Sequence, residues 1–240
     1  MARGIFISGT DTGVGKTAVA VAMLQSLIAC GVRAAGMKPV AAGFASGARI
    51  NGDVAAMAAA DGLALPSAMR NPYGFEPPIA PHLAARDVGI EIDLDTIAHA
   101  WAQIARVADV IIVEGAGGVL VPLGPRQDML DVPARLGLPI LLVVGMRLGC
   151  LNHALLSMEA IRKRGLAFDG WIANRFDPGM ARVDDNVAEL ALRFGSPPLE
   201  DFGWRATMQI SASTLKILGL LDVSTDTPVQ SFNQPSPARR

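Results

Sequence analysis

The sequence predicts an α/β fold with a mostly parallel central sheet and helices on both faces. Three observations carry this expectation. Short apolar runs alternate with longer stretches of helical periodicity. Two of the runs, Val110-Ile111-Ile112-Val113 and Ile140-Leu141-Leu142-Val143-Val144, are apolar throughout. Strands that uniform are covered on both faces, as parallel strands are. A glycine-rich turn containing Gly15-Lys16-Thr17 joins the first strand to the first helix.

The elements follow in chain order. Ile5-Phe6-Ile7-Ser8 reads as the first strand. Residues Ala18 to Ala29 read as a helix, with Val19, Ala22, Met23, Ser26 and Leu27 at helical spacing. Ala34-Ala35-Gly36-Met37 reads as a second strand, and Asp53 to Ala60 as a helix stopped by Gly62. Residues 66–90 are rich in Pro and Gly and read as an ordered loop region. Leu94 to Val107 returns to helical periodicity. After the two apolar strands come a helix from Leu151 to Arg164, a strand from Phe168 to Ala173 and a helix from Asp184 to Phe194. No repeat and no linker divides residues 1–221, which are expected to form a single domain. Residues 222–240 are rich in Ser, Thr, Pro and Gln and read as a flexible tail.

The segment Gly9-Thr10-Asp11-Thr12-Gly13-Val14-Gly15-Lys16-Thr17 follows a strand and opens a helix, the context of a phosphate-binding P-loop. Gly13 and Gly15 let the backbone approach phosphate. The helix N-terminus presents amides and a favourable dipole to the anion. Lys16 can reach the β- and γ-phosphates, and Thr17 can place a hydroxyl on Mg²⁺. The usual spacing sets a glycine where Thr10 stands; Gly9 is one residue earlier, so the loop is a variant.

A P-loop enzyme needs carboxylates for its metal. Glu114 ends the Val110–Val113 strand and precedes Gly115-Ala116-Gly117-Gly118. Ligands of parallel α/β sheets bind at strand carboxyl ends, so Glu114 faces the loop if the two strands are neighbours. On spacing alone, Asp53 reads as a helix N-cap. Lys38, in Lys38-Pro39-Val40-Ala41-Ala42-Gly43, is either an exposed strand-end lysine or a site residue. His82 falls in the loop region, His99 on an amphipathic helix surface and His153 near a helix start. No catalytic triad order or metal-binding His pair stands out.

Composition removes several classes. The net charge is −1 with 18% charged residues, so no broad basic face for nucleic acid is expected. At 5%, aromatics are too scarce for base-stacking platforms. No apolar run reaches the ~18–20 residues of a membrane helix, and the N-terminus does not read as a signal peptide. Cys30 and Cys150 are far apart and lack zinc-type spacing, which points to a reducing cytoplasm with no disulfide framework or structural metal. Lysine is rare: Lys16, Lys38, Lys163 and Lys216 are the whole set. The first two sit beside Gly and Pro; the others read as surface residues.

The sequence resembles the dethiobiotin synthetases, ATP-dependent ring-closing ligases of biotin biosynthesis. The resemblance rests on Gly9-Thr10-Asp11-Thr12 with Val14-Gly15-Lys16-Thr17, on Lys38-Pro39-Val40 and on Glu114-Gly115-Ala116-Gly117-Gly118. It continues through Pro81-His82, Gly149-Cys150-Leu151-Asn152-His153-Ala154 and Gly170-Trp171-Ile172-Ala173-Asn174. It implies a P-loop NTPase fold and a homodimer with a shared substrate site. It implies 7,8-diaminononanoate, CO2 or bicarbonate and MgATP as substrates, and dethiobiotin, ADP and phosphate as products.

The resemblance also implies roles. Thr17, Asp53 and Glu114 become Mg²⁺ ligands, which replaces the N-cap reading of Asp53. Lys16 and Lys38 become the catalytic cations. Thr12, Gly13, Val14, Gly15, Lys16, Thr17, Ala18, Asp53, Glu114, Gly115, Ala116 and Gly117 become nucleotide contacts. So do Asn174, at the adenine, and Arg175, Gly203, Trp204 and Arg205. Lys38, Ala42 and Gly118 become substrate contacts, with Gly149, Cys150, Leu151 and Asn152 of the other subunit clamping the substrate carboxylate.

Three positions depart from the family pattern. Ala42 replaces a hydroxyl residue, Ala80 replaces the Ser before Pro81-His82, and Phe202-Gly203-Trp204 replaces Ile-Pro beside a nucleotide contact. Two other readings fit less well. ParA/MinD-like switch ATPases carry an additional lysine early in the loop, where this chain has Gly9-Thr10-Asp11-Thr12. A cobyrinate-type amide former normally carries a glutaminase domain, for which 240 residues leave little room.

Overall fold

The computed structural model describes residues 2–44 and 50–222. The expected tail lies outside the described residues except for Asp222, which pairs with Arg3. The chain begins with β1 (Arg3–Gly9), α1 (Lys16–Ala29), β2 (Ala34–Met37), β3 (Val40–Ala42) and α2 (Gly52–Asp61). Next come α3 (Ser67–Arg70), β4 (Tyr73–Phe75), α4 (Pro81–Asp87), α5 (Leu94–Ile104) and β5 (Val110–Gly118). Then follow α6 (Asp131–Leu136), β6 (Ile140–Gly145), α7 (Cys150–Lys163), β7 (Phe168–Asn174), α8 (Val183–Phe194), β8 (Glu200–Phe202) and α9 (Ala212–Ile217).

The main sheet has the order β2-β5-β1-β6-β7-β8, and every pairing in it is parallel. A small parallel pair, β3-β4, stands apart from it. The pleat sends alternate residues to opposite faces. From β1 and β5, Phe6, Ile111 and Val113 join one core with Ile97 and Ile104 of α5 and Met158 and Ile161 of α7. Ile5, Ile7 and Ile112 join the other, with Val19, Met23 and Leu27 of α1 and Leu215 of α9. Helices therefore cover both faces. Each fully buried Ile or Leu stabilises the fold by about 1.5–3 kcal/mol.

Residues 66–90 are more regular than the Pro and Gly content suggested. They hold α3, β4 and α4, and His82 lies in a helix rather than a loop. Pro81 occupies the first turn of α4, where its missing N–H leaves no bond unmade. The described thiols Cys30 and Cys150 are both free. No described helix is long and apolar enough to cross a membrane.

Candidate active site

Strand β1 hands the chain to α1 through the loop at residues 10–15. Gly13 (φ 74°) and Gly15 (φ 97°) adopt left-handed backbone that a side chain disfavours. At Gly15 space matters too: a Cβ there would lie 2.3 Å from Asn174 Nδ2. Gly15 caps α1 without a side-chain hydrogen bond, so first-turn amides remain for an anion. Lys16 is folded over the loop and donates from Nζ to the Asp11 carbonyl at 2.9 Å. Its residue is only 6% exposed. Burial brings its pKa down to about 8, more strongly than Glu114 raises it, and neighbouring Lys38 adds to the fall.

The neighbour condition for Glu114 is met, since it pairs in register with Ile7 of β1. Its Oε1 accepts from Thr17 Oγ1 at 2.9 Å and from Lys38 Nζ at 2.5 Å. Its Oε2 is buried and has no hydrogen-bond partner. Lys38 also donates to Asp53 Oδ2 at 2.7 Å. The exposed-lysine reading is thereby replaced: Lys38 is buried. Burial disfavours its charge, but Glu114 and Asp53 outweigh burial and hold its pKa above the ordinary lysine range. Asp53 loses some solvation too, yet Lys38 and Thr17 hold its carboxyl below the usual range.

The N-cap reading of Asp53 is also corrected. Asn51 is the N-cap of α2, accepting from the Asp53 amide at 2.9 Å, while its Nδ2 donates to the Gly43 carbonyl at 3.0 Å. Asp53 is left in the first turn, where the helix dipole favours a carboxylate. Lys38 is pinned through its backbone. Its N–H donates to the Arg70 carbonyl at 2.8 Å, and its carbonyl accepts from Asn71 Nδ2 at 2.7 Å. Arg70 in turn forms a buried ion pair with Asp61, and the pair brackets Gly36 of β2.

These groups line a cleft of ≈ 840 Å³ at the carboxyl ends of the strands. It gathers Thr12, Gly13, Gly15, Lys16, Thr17, Ala18, Lys38, Ala42, Asp53, Glu114, Ala116 and Gly117. The remaining expected residues fall elsewhere. Val14 points inward and is buried. Gly115 packs against Phe6 and Met129, and Gly118 sits beside Gly9. Asn174 is buried beneath the loop, donating from Nδ2 to the Val14 carbonyl at 2.8 Å. Arg175, Gly203, Trp204 and Arg205 lie beyond β7 and β8. Gly149, Cys150, Leu151 and Asn152 form the start of α7 and do not line the cleft. Two further clefts, near Arg3 and Arg106, open at the amino ends of the strands.

Some residues of the site were missed from sequence. Asp11 pairs with Arg147, tying the loop to the segment before α7. Asn51 carried a readable signal, an Asn just ahead of a helix. Asn71, Asp61 and Arg70 carried none.

A family model described as an AAA domain matches residues 3–222. The ATP-dependent dethiobiotin synthetase BioD of Nitrosospira multiformis is 50% identical over 199 residues, covering 83% of this chain and 87% of that protein. The enzyme of the same name from Aromatoleum aromaticum is also 50% identical over 199 residues, covering 82% of this chain and 88% of its own length. The chain belongs to the ATP-dependent dethiobiotin synthetase family. Among solved structures, a ParA family ATPase from Chlorobium tepidum superposes with a TM-score of 0.51 at 13% identity, covering 95% of each chain. The MinC:MinD cell division protein complex of Aquifex aeolicus gives 0.50 at 14% identity, covering 90% of this chain and 85% of that one. At such identities the likeness is one of fold, that of P-loop NTPases. As a dethiobiotin synthetase, the chain is an ATP-dependent ligase.

One consequence for the synthetase concerns pH. Lys16 carries its proton below about pH 8 in the free protein and loses it above. With Lys16 proposed to face the phosphates, loss of that proton removes a cation from the loop, so kcat/KM for ATP should fall as pH rises through about 8. Bound phosphates favour the charged form, so kcat at saturation should hold to higher pH. Parallel profiles of the two parameters check this; a kcat/KM flat to high pH counts against it.

Proposed function

We propose that the chain joins 7,8-diaminononanoate, CO2 and ATP into dethiobiotin, ADP and phosphate, with Lys38 and Lys16 as the catalytic cations. The observation that carries this reading is the buried Lys38 ammonium set between Glu114 and Asp53, facing the same cleft as the phosphate loop.

The chemistry runs in three steps. One amine attacks CO2, a C–N bond forms and a proton leaves, giving a carbamate. A carbamate oxygen then attacks the γ-phosphorus, and ADP departs, giving a carbamic–phosphoric anhydride. The second amine attacks the carbonyl carbon, expels phosphate, loses its proton and closes the ring. An alkylamine resembles Lys, with a pKa about 10.4, so only on the order of one in 10³ is neutral at pH 7. Two lysine charges lining the cleft disfavour the ammonium form and favour the carbamate anion. Lys38 stabilises the carbamate, and Lys16 stabilises the phosphates.

The residues present suit a magnesium ion. Among the described residues no group of three His, Cys, Asp or Glu side chains makes a metal cage. Magnesium does not need one, since it binds through one or two carboxylates, substrate phosphates and water. Glu114, with its unpartnered Oε2, Asp53 and Thr17 would hold it. When bound, the ion supplies positive charge against the phosphates.

A second copy of the chain is part of this reading. The start of α7, which the family resemblance sets at the substrate carboxylate, does not line its own cleft, and in this reading a partner supplies it. Leu148, Asn152 and Leu156 are exposed at four-residue spacing, and Leu148 is 95% exposed. They form a stripe suited to burial in a dimer. Diluting the protein until it is monomeric should abolish turnover; an active monomer would exclude a shared site.

Ala42 sits in the cleft at the end of β3. Introducing a hydroxyl by Ala42→Ser should lower KM for the diamine about 2- to 12-fold, one hydrogen bond's net worth of about 0.5–1.5 kcal/mol. An unchanged KM means another group already fills that role.

The whole reading is tested by ADP release with diamine, bicarbonate and ATP, each omitted in turn. Release that needs all three is expected. Release without diamine would overturn the assignment in favour of a switch ATPase.

A further inference from the structure

If the loop at residues 10–15 seats the ATP phosphates, as read above, one carboxylate within it has the wrong sign. Asp11 lies inside that loop, between β1 and α1. The neighbouring strand supplies its counter-ion. β6 runs parallel to β1 with Val143 beside Gly9, and the contact continues into the loop. The Thr10 amide donates to the Val143 carbonyl at 3.0 Å, and the Gly145 amide donates to Thr10 Oγ1 at 3.4 Å. Arg147, just after β6, is thereby set beside Asp11 and donates from Nη2 to its Oδ2. The other oxygen, Oδ1, accepts from the Thr12 amide at 2.7 Å. Thr12 and Gly13 line the cleft.

The carboxylates of Glu114 and Asp53 are already matched by Lys38. Asp11 has Arg147. Without that partner the Asp11 carboxylate would act against ATP in two ways. It would repel the triphosphate through like charge. It would also compete for the first-turn amides of α1, which no side chain caps and which attract a carboxylate as they attract a phosphate. Arg147 is well placed to prevent both. Its carbonyl accepts from the Cys150 amide at 2.9 Å, which ties it to the start of α7 and to the β6 side of the loop.

We propose that Arg147 is a positioning residue for ATP binding: it neutralises Asp11 and holds that carboxylate off the phosphate-binding amides. Arg147 then acts on the nucleotide through Asp11 and is not itself a catalytic residue.

The test is equilibrium ATP binding and diamine-dependent ADP release by the full chain. Arg147→Met should raise the Kd and KM for ATP about 5- to 30-fold, the effect of one uncompensated charge roughly 8 Å away at an effective dielectric of about 20–40. At saturating ATP, kcat should stay near wild type. The loss should shrink as salt is added. Arg147→Lys should keep most of the affinity, since it keeps the charge. The decisive variant is Asp11→Asn combined with Arg147→Met, which leaves no charge in the loop and should recover most of the lost affinity. If the pair merely braces the loop, the double variant binds ATP as weakly as Arg147→Met and salt has no effect; either result overturns the proposal. So does an unchanged Kd in Arg147→Met. Lys16→Gln, measured alongside, separates the two readings. If it weakens ATP binding while Arg147→Met does not, this inference alone falls. If neither change weakens binding, the phosphate-loop reading falls with it.

Discussion

A Lys38→Gln protein should bind ATP about as tightly as wild type yet turn over about 10²–10³ times more slowly, the typical cost of one preorganised electrostatic contact. The expectation follows from placement. Lys16 belongs to the phosphate loop and leans on the Asp11 carbonyl, whereas Lys38 is held 76 residues from Glu114 in sequence and 2.5 Å from it in space. Gln keeps a donor of comparable reach but removes the charge proposed to favour a carbamate anion. Equilibrium nucleotide binding and diamine-dependent ADP release, measured on the same preparation, separate the two effects. A kcat within tenfold of wild type would remove Lys38 from the chemistry. A parallel collapse of ATP affinity would move it to the phosphates.

The largest stability effect should come from Arg70→Met, with a loss of about 3–5 kcal/mol. The Arg70 and Asp61 side chains are 3% and 0% exposed, so the substitution strands a carboxylate in the interior. That carboxylate also accepts from the Gly36 and Leu63 amides, at 2.8 and 2.9 Å, and cannot swing out to water without breaking both bonds. Urea unfolding at neutral pH reads the loss. A change below about 1 kcal/mol would mean that the interior at Asp61 is wetter than its burial implies. Replacing both partners with apolar residues should cost less than the single change, because no charge is left alone.

The long elements were legible because their signals are local. Val110–Val113 and Ile140–Val144 are apolar on both faces, and α1 repeats its apolar residues at helical spacing. The elements missed were β3, β4, β8, α3, α4, α6 and α9, each of three to seven residues. Seven residues are under two helical turns, too few for a period to stand out from composition. The site divides the same way. Gly13, Gly15, Lys16 and Thr17 are contiguous, and their types alone declare phosphate chemistry. Asp53 was ambiguous because a carboxylate at a helix start serves as cap or ligand equally well, and only the neighbouring Asn51 decides. Asp61 and Arg70 were invisible, since a charged pair nine residues apart resembles any surface pair until the fold buries it.

The order of strands also determines which parts of the site open first. β1 is hydrogen-bonded on both sides, by β5 and β6, and its residues from Ile5 to Gly9 are buried. β8 is a three-residue edge strand with one neighbour. Local unfolding takes the least free energy at such an edge and nearly the global free energy at a central strand. The phosphate loop is thus anchored in the part of the molecule that exchanges its amide hydrogens last. The segment after β8 hangs from an edge that exchanges earlier. Warming therefore loosens the backbone at the β8 edge before it loosens the backbone that carries the glycine-rich loop.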